Sequence, residues 1–202
     1  MDNKKEDKLF SVADRQLGYF TSQQAEECGY YKSHFHRYLD SGTWVKELRG
    51  IYRLARYPIQ DRSELALWIL WSRNKQGEPQ GVWSHETALD IHELTDMMPA
   101  KMHLTVPRGF RRNQEIPKNL HIHRGDLSKG DVEIRQGYSL TTPLRTLLDV
   151  AEEGVVTMDQ IEQGLHEALK RGLFLRQDIE SSKIKHPMGV EKLLRILDDK
   201  SI

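Results

Sequence analysis

Apolar residues at near-helical spacing (Leu9, Phe10, Val12, Ala13 and Leu17) predict a first helix over residues 4–16, ended by Gly18. Tyr19 and Phe20 make a short extended step. Thr21 or Ser22 caps a second helix from Gln23 to Cys28, which Gly29 stops. Ser33 caps a third helix running through Leu39 and closed by Ser41-Gly42. Phe35 and Leu39 stand four apart and face inward, which turns His34, Arg37 and Tyr38 outward. Two extended runs, 44–48 and 51–54, flank Arg49-Gly50 and predict a hairpin. Three helices and then a hairpin are the element order of a winged helix-turn-helix, a module whose last helix enters the DNA major groove. Pro58 ends it, so the expected domains are residues 1–58 and 59–202.

The second domain reads as helices around a small sheet. Asp61 and Glu64 have capping-box spacing and open a largely apolar, buried helix over 62–74. Ser84 caps a short helix from His85 to Leu94. Strands are expected at 102–106, 120–123 and 132–134, the last running on towards Leu140. Thr142-Pro143 starts a helix, with Leu144, Leu147, Leu148 and Ala151 on its apolar face. Further helices are expected at 157–171, 175–183 and 188–199. The fold class is α+β: an N-terminal winged helix-turn-helix followed by a larger α+β domain.

Composition limits where charge can act. The chain has 202 residues, with 30 basic and 30 acidic side chains, so it is no polycation. Any affinity for DNA must come from local asymmetry. Between Tyr30 and Tyr57, six basic residues face only Asp40 and Glu47, a local net charge of +4. Cys28 is the single cysteine, which suits a reducing cytosol. The start, MDNKKEDK, has no apolar core of a signal peptide, and the run LALWILW is too short to span a bilayer. A cytoplasmic protein with no membrane partner is expected.

The candidate DNA-binding residues follow from this. Lys32 and Ser33 suit phosphates, His34, His36 and Arg37 form the outward face of the third helix, and Arg37 suits bidentate contact with guanine. Lys46, Arg49 and Arg53 lie on the hairpin, with Arg49 at its tip. Arg108, Arg111 and Arg112 form a second basic cluster in a loop. His85, His92, His103, His121 and His123 have imidazoles suited to zinc, but no His-Glu-x-x-His pattern joins them. They read as hydrogen-bonded or surface histidines, and no metal and no cofactor is expected. Asp131 and Glu133 resemble half of a nuclease acid pair, but the position of a catalytic lysine holds Arg135. Ser84-His85-Glu86 has triad composition, but neighbouring side chains diverge. No catalytic residue is expected.

Several segments, in order, resemble the AbiEi family of antitoxins from bacterial type IV toxin–antitoxin systems. They are Phe20-Thr21-Ser22-Gln23-Gln24-Ala25, Ser33-x-x-x-Arg37, Gly42-x-Trp44, Arg49-Gly50-Ile51-Tyr52, Ser84-His85-Glu86-Thr87-Ala88-Leu89, His103-Leu104-Thr105-Val106-Pro107 and Thr141-Thr142-Pro143-x-Arg145-Thr146-Leu147-Leu148-Asp149. The resemblance implies a winged helix that represses its own operon, bound to double-stranded promoter DNA at inverted repeats. It also implies a C-terminal antitoxin domain, a role in phage defence, and a nucleotidyltransferase-like toxin countered without a stable complex. The alternative is a divalent-metal-dependent nuclease, or other nucleic-acid processing enzyme, using Asp131 and Glu133. A protein-interaction adaptor is a third reading, against which strong salt dependence of DNA binding would argue.

Overall fold

The computed structural model describes residues 2–112, 115–154 and 156–199, with side chains from residue 4 onward. The chain forms two compact units, Met1–Gly81 with Ile134–Ser139, and Val82–Glu133 with Leu140–Ile202. Pro58, the expected boundary, lies inside the first unit.

The first unit opens with α1 (Asp2–Asp14), β1 (Tyr19–Thr21) and α2 (Ser22–Glu27). Thr21 caps α2: its hydroxyl accepts from the Gln24 amide at 3.2 Å, and Gln24 Oε1 accepts from the Thr21 amide at 2.8 Å. A 3-10 turn, Lys32–His34, then leads into α3 (Phe35–Asp40). Ser33 therefore sits within the turn and caps nothing, contrary to expectation. The hairpin is β2 (Trp44–Leu48) and β3 (Ile51–Leu54), as the alternation predicts. All pairs are antiparallel in the order β1-β3-β2, with Phe20 opposite Tyr52.

Trp44 is the centre of this core. Phe20 and Phe35 meet it edge-on with centroids at 4.9 and 5.1 Å, and Tyr38 stacks on it at 4.6 Å. Such pairs add about 0.5–1.5 kcal/mol each beyond the area they bury. From α1 the core takes Leu9 and Ala13, one helical turn apart. Phe10 lies about 100° further round that helix and is 54% exposed, beside Tyr57. The chain continues into α4 (Glu64–Trp71), which packs on β1 and β3 and buries Leu65, Ala66, Ile69, Leu70 and Trp71. The expected Asp61–Glu64 box does not form. Ser63 occupies the cap position, and its hydroxyl exchanges hydrogen bonds with the Gln60 backbone instead.

The second unit contains β4 (Val82–Trp83), α5 (His85–Ile91), β5 (Met102–Val106) and β6 (Leu120–Arg124). β7 (Val132–Arg135) and β8 (Tyr138–Thr141) follow, with their Ile134–Ser139 portion assigned to the first unit. The single strand expected from 132 towards 140 is thus two strands, turned at Gly137, whose φ of +83° suits glycine. The sheet order is β6-β5-β4-β8-β7; β5 runs parallel to β6, β4 antiparallel to β5 and parallel to β8. The helices are α6 (Pro143–Glu153), α7 (Met158–Lys170), α8 (Arg176–Ser181) and α9 (Pro187–Asp198).

α6 is the hub of the helical layer. Thr142 caps it, Pro143 takes its first turn, and Gly154 ends it in the left-handed conformation. Leu147, Leu148, Val150 and Ala151 on α6 pack in one core with Leu89, Ile161, Leu165, Val190 and Leu193. α9 crosses α6 closely at Gly189, where a Cβ would stand 2.8 Å from the Leu148 carbonyl oxygen.

Candidate nucleic-acid interface

Phe35, buried at the start of α3, fixes which way the surrounding residues point. Lys32, Ser33, His34, His36 and Arg37 are all exposed around it. His36 Nδ1 donates to the Ser33 carbonyl at 2.9 Å, which leaves Nε2 directed outward. His34 packs edge-on against Tyr31, with centroids at 5.8 Å. Tyr31 is 73% exposed, and the hydrophobic pattern gave no sign of it. It is placed by the 3-10 turn that follows it, which no local sequence pattern announces.

The wing separates its cations. Lys46 is exposed on β2, and Arg49 is exposed at the turn. Arg53 is not exposed: its Nε donates to Glu47 Oε1 at 2.8 Å, with side-chain exposures of 15% and 25%. The expected contact from Arg53 is therefore taken up inside the hairpin, where it faces an acid. The turn is fixed from behind. The Gly50 carbonyl accepts from the Ser22 amide at 3.0 Å and from Arg73 Nη2 at 3.3 Å. The exposed cations of α3 and the wing are thus carried on braced backbone.

The second basic cluster belongs to the other unit, in the loop between β5 and β6. Arg108 and Asp126 approach to 3.3 Å, both well exposed. Arg111 is exposed, while Arg112 is half-buried and burial lowers its pKa. Arg124 braces the loop by donating to the Phe110 carbonyl at 2.8 Å.

Asp131 is committed elsewhere. The Ser128 hydroxyl and amide donate to its Oδ2 at 2.6 and 2.8 Å, and Arg145 lies 3.3 Å away. Burial raises this carboxyl, but the Ser128 bonds and Arg145 outweigh it and hold it below the usual range. It is a structural acid beneath α6. Ser84 also departs from expectation. Its hydroxyl makes no cap bond; it lies 2.8 Å from His85 Nδ1 and accepts from Thr105 at 2.7 Å. His92 donates to the Thr141 carbonyl at 2.8 Å.

Four histidines converge beside the sheet. The parallel register sets His103 opposite His121 and Thr105 opposite His123. His85 stacks on His123 with centroids at 3.6 Å, and His103 lies 5.1 Å from His123 and 5.0 Å from His121. Burial, with the neighbouring imidazoles adding to it, pushes His103 down to about 3 and His123 down to about 4. The hydrogen bond from His85 heads the causes that hold Glu153 down to about 2.

The first unit is a winged helix-turn-helix in which α3 and the wing present basic side chains. Residues 7–55 match the family model described as "Transcriptional regulator, AbiEi antitoxin". The match spans the winged helix from within α1 to just past β3, and it bears out the resemblance there. No curated protein matches the chain. Among solved structures, the fold is similar to the crystal structure of the RV2827C protein from Mycobacterium tuberculosis. That likeness has a TM-score of 0.60 and 14% identity, covering 96% of this chain and 76% of the other. Among the described residues no helix is long and apolar enough to cross a membrane.

Proposed function

We propose that the protein is a transcriptional autorepressor and antitoxin that works by binding, without catalysis. The observation that carries this reading is a coincidence of segments. The family match covers residues 7–55, and that same stretch exposes Lys32, Arg37, Lys46 and Arg49 around a rigid aromatic core.

In this reading Lys32 and Ser33 anchor the turn before α3 on phosphates. Arg37 enters the major groove and makes a bidentate contact with guanine O6 and N7. His34, held by Tyr31, and the outward Nε2 of His36 meet base edges or phosphates. Lys46 and Arg49 reach the flanking backbone, and Arg53 acts through Glu47 as a positioning residue for the wing. The Arg108, Arg111 and Arg112 loop is a secondary site on flanking nucleic acid. The operator is an inverted repeat in the protein's own promoter, within the cytoplasm. The part of the chain that follows the winged helix, residues 59–202, counters a nucleotidyltransferase-like toxin without a stable complex.

The test is fluorescence anisotropy with the full chain, its own promoter fragment and a random duplex of equal length, at several salt concentrations. Preference for the promoter of about 10³-fold or more is the expected result. Equal affinity for the two duplexes would sink the repressor reading. Co-expression with the toxin encoded beside it, driven from an independent promoter, tests the antitoxin part.

A further inference from the structure

Among the described residues, one group of metal-type donors comes together: His85, His123 and Glu153, with their ligand atoms within 4.8 Å of one another. We propose that these three side chains form a binding site for a divalent transition-metal ion of the zinc type.

The geometry centres on one oxygen. Glu153 Oε1 lies 3.1 Å from His85 Nε2 and 2.9 Å from His123 Nδ1. Ligand atoms on a four-coordinate zinc with bonds of about 2.0–2.1 Å stand roughly 3.3 Å apart. The two separations from Glu153 Oε1 are already close to that spacing, and all three donors lie within 4.8 Å of one another. Without a metal, both imidazole N–H groups point at the same carboxylate oxygen. A dication between them would replace those two hydrogens, and each neutral imidazole would carry its single proton on its other nitrogen.

Those other nitrogens already have partners. His85 Nδ1 lies 2.8 Å from Ser84 Oγ, and His123 Nε2 lies 3.0 Å from His103 Nδ1. Metal-bound histidines almost always use their second nitrogen in this way, which fixes tautomer and ring orientation. Ser84 Oγ is itself positioned by Thr105. The two histidine side chains are nearly buried, at 5% and 8% exposure, whereas Glu153 is 40% exposed. An ion therefore has an entrance from the carboxylate side.

His85 supplies an independent sign. Its φ is +51°, a left-handed value that strains a non-glycine residue and is concentrated at functional sites. That backbone turns the imidazole from the start of α5 towards the end of α6. The parallel stack of His85 on His123 is the feature that must change: its 8° interplanar angle has to open for both lone pairs to meet one ion. Two nitrogens and one oxygen suit zinc or a neighbouring first-row dication, and three protein ligands leave a position for water.

The experiment uses the full chain, stripped with a chelator and titrated with zinc chloride by calorimetry. One ion per chain is expected, with affinity reduced at least tenfold in Glu153→Gln and unchanged in His166→Gln, a histidine outside the cluster. Imidazole ¹⁵N NMR of the unaltered protein guards against a misfolded variant. Zinc should shift the His85 and His123 ring signals, and cobalt should give the visible bands of a four-coordinate ion. Absence of stoichiometric binding, or ring shifts that spare His85 and His123, would overturn the site. Undiminished binding by a folded Glu153→Gln would do the same.

Discussion

Arg53 and Glu47 join the two strands of the wing, Nε to Oε1 at 2.8 Å. The pair engages one of the three wing cations and leaves Lys46 and Arg49 exposed. Arg49→Glu should make the log–log salt slope of DNA binding shallower by about one unit, at about 0.9 per phosphate contact. Arg53→Ala should leave that slope unchanged and lower stability by up to about 1 kcal/mol. Salt titrations and thermal melts on both variants check this. A slope change in Arg53→Ala equal to that in Arg49→Glu would mean that the ion pair opens on DNA. Antitoxin rescue should survive Arg49→Glu when toxin is expressed from an independent promoter.

Arg37 stands outward one turn of α3 before Ser41, beside the buried Phe35. Arg37→Ala should weaken promoter binding by about 1–3 kcal/mol, while random-duplex binding falls much less. The ratio of the two affinities is the measurement. An unaltered ratio removes Arg37 from base reading and leaves it a phosphate contact.

Gly189 permits the close crossing of α9 over α6. A Cβ there would stand 2.8 Å from the Leu148 carbonyl oxygen and 3.3 Å from its Cα, and both are backbone atoms that cannot swing aside. Gly189→Ala should destabilise by about 1–3 kcal/mol, the usual cost of overpacking. Gly130→Ala, where a Cβ meets nothing within 4 Å, should remain within about 0.5 kcal/mol of the parent. Urea denaturation of both reads the difference. Equal midpoints would show that α9 shifts freely.

Tyr30 is pushed up to about 12, first by burial and then by Glu6. Its folded pKa exceeds its unfolded one, so its contribution to stability is whole below pH 10. It is lost as pH rises from 10 towards 12. Thermal melts through that range should show a smaller loss for Tyr30→Phe than for the parent. Absorbance of phenolate should show one fewer late-titrating tyrosine. Identical alkaline losses would assign the effect to the other buried tyrosines.

The elements with strong local signals were legible. The strands 44–48 and 51–54 appear as expected, because alternation and Arg49-Gly50 define a hairpin unaided. Thr142-Pro143 opens α6 for a similarly local reason. β4 has two residues, too few for a period to register. Ser33, Ser84 and Asp61 looked like caps, but each cap position or hydroxyl was claimed by a competing neighbour. Helical spacing does not say which of the adjacent Leu9 and Phe10 faces in; Leu9 is buried and Phe10 is exposed. The candidate DNA face was visible as charge, although the Arg53–Glu47 pair was not. The histidines stand out in the sequence as metal-type donors, but their convergence with Glu153 does not. It depends on the parallel register of β5 and β6, and on the end of α6 reaching His85 and His123. No local pattern encodes either.

The first unit is discontinuous, and that bears on how the chain is made. Gly137 lies against Leu17 and Ala66, and Gln136 Nε2 donates to the Asp14 carbonyl at 2.8 Å. During synthesis, Gly81 leaves the ribosome before those residues exist. At about 5–20 residues per second, the intervening chain takes several seconds to appear. A nascent chain in that interval already carries α3 and the wing but lacks part of their supporting unit. The unit that carries α3 and the wing is thus complete only when about two-thirds of the polypeptide has been translated.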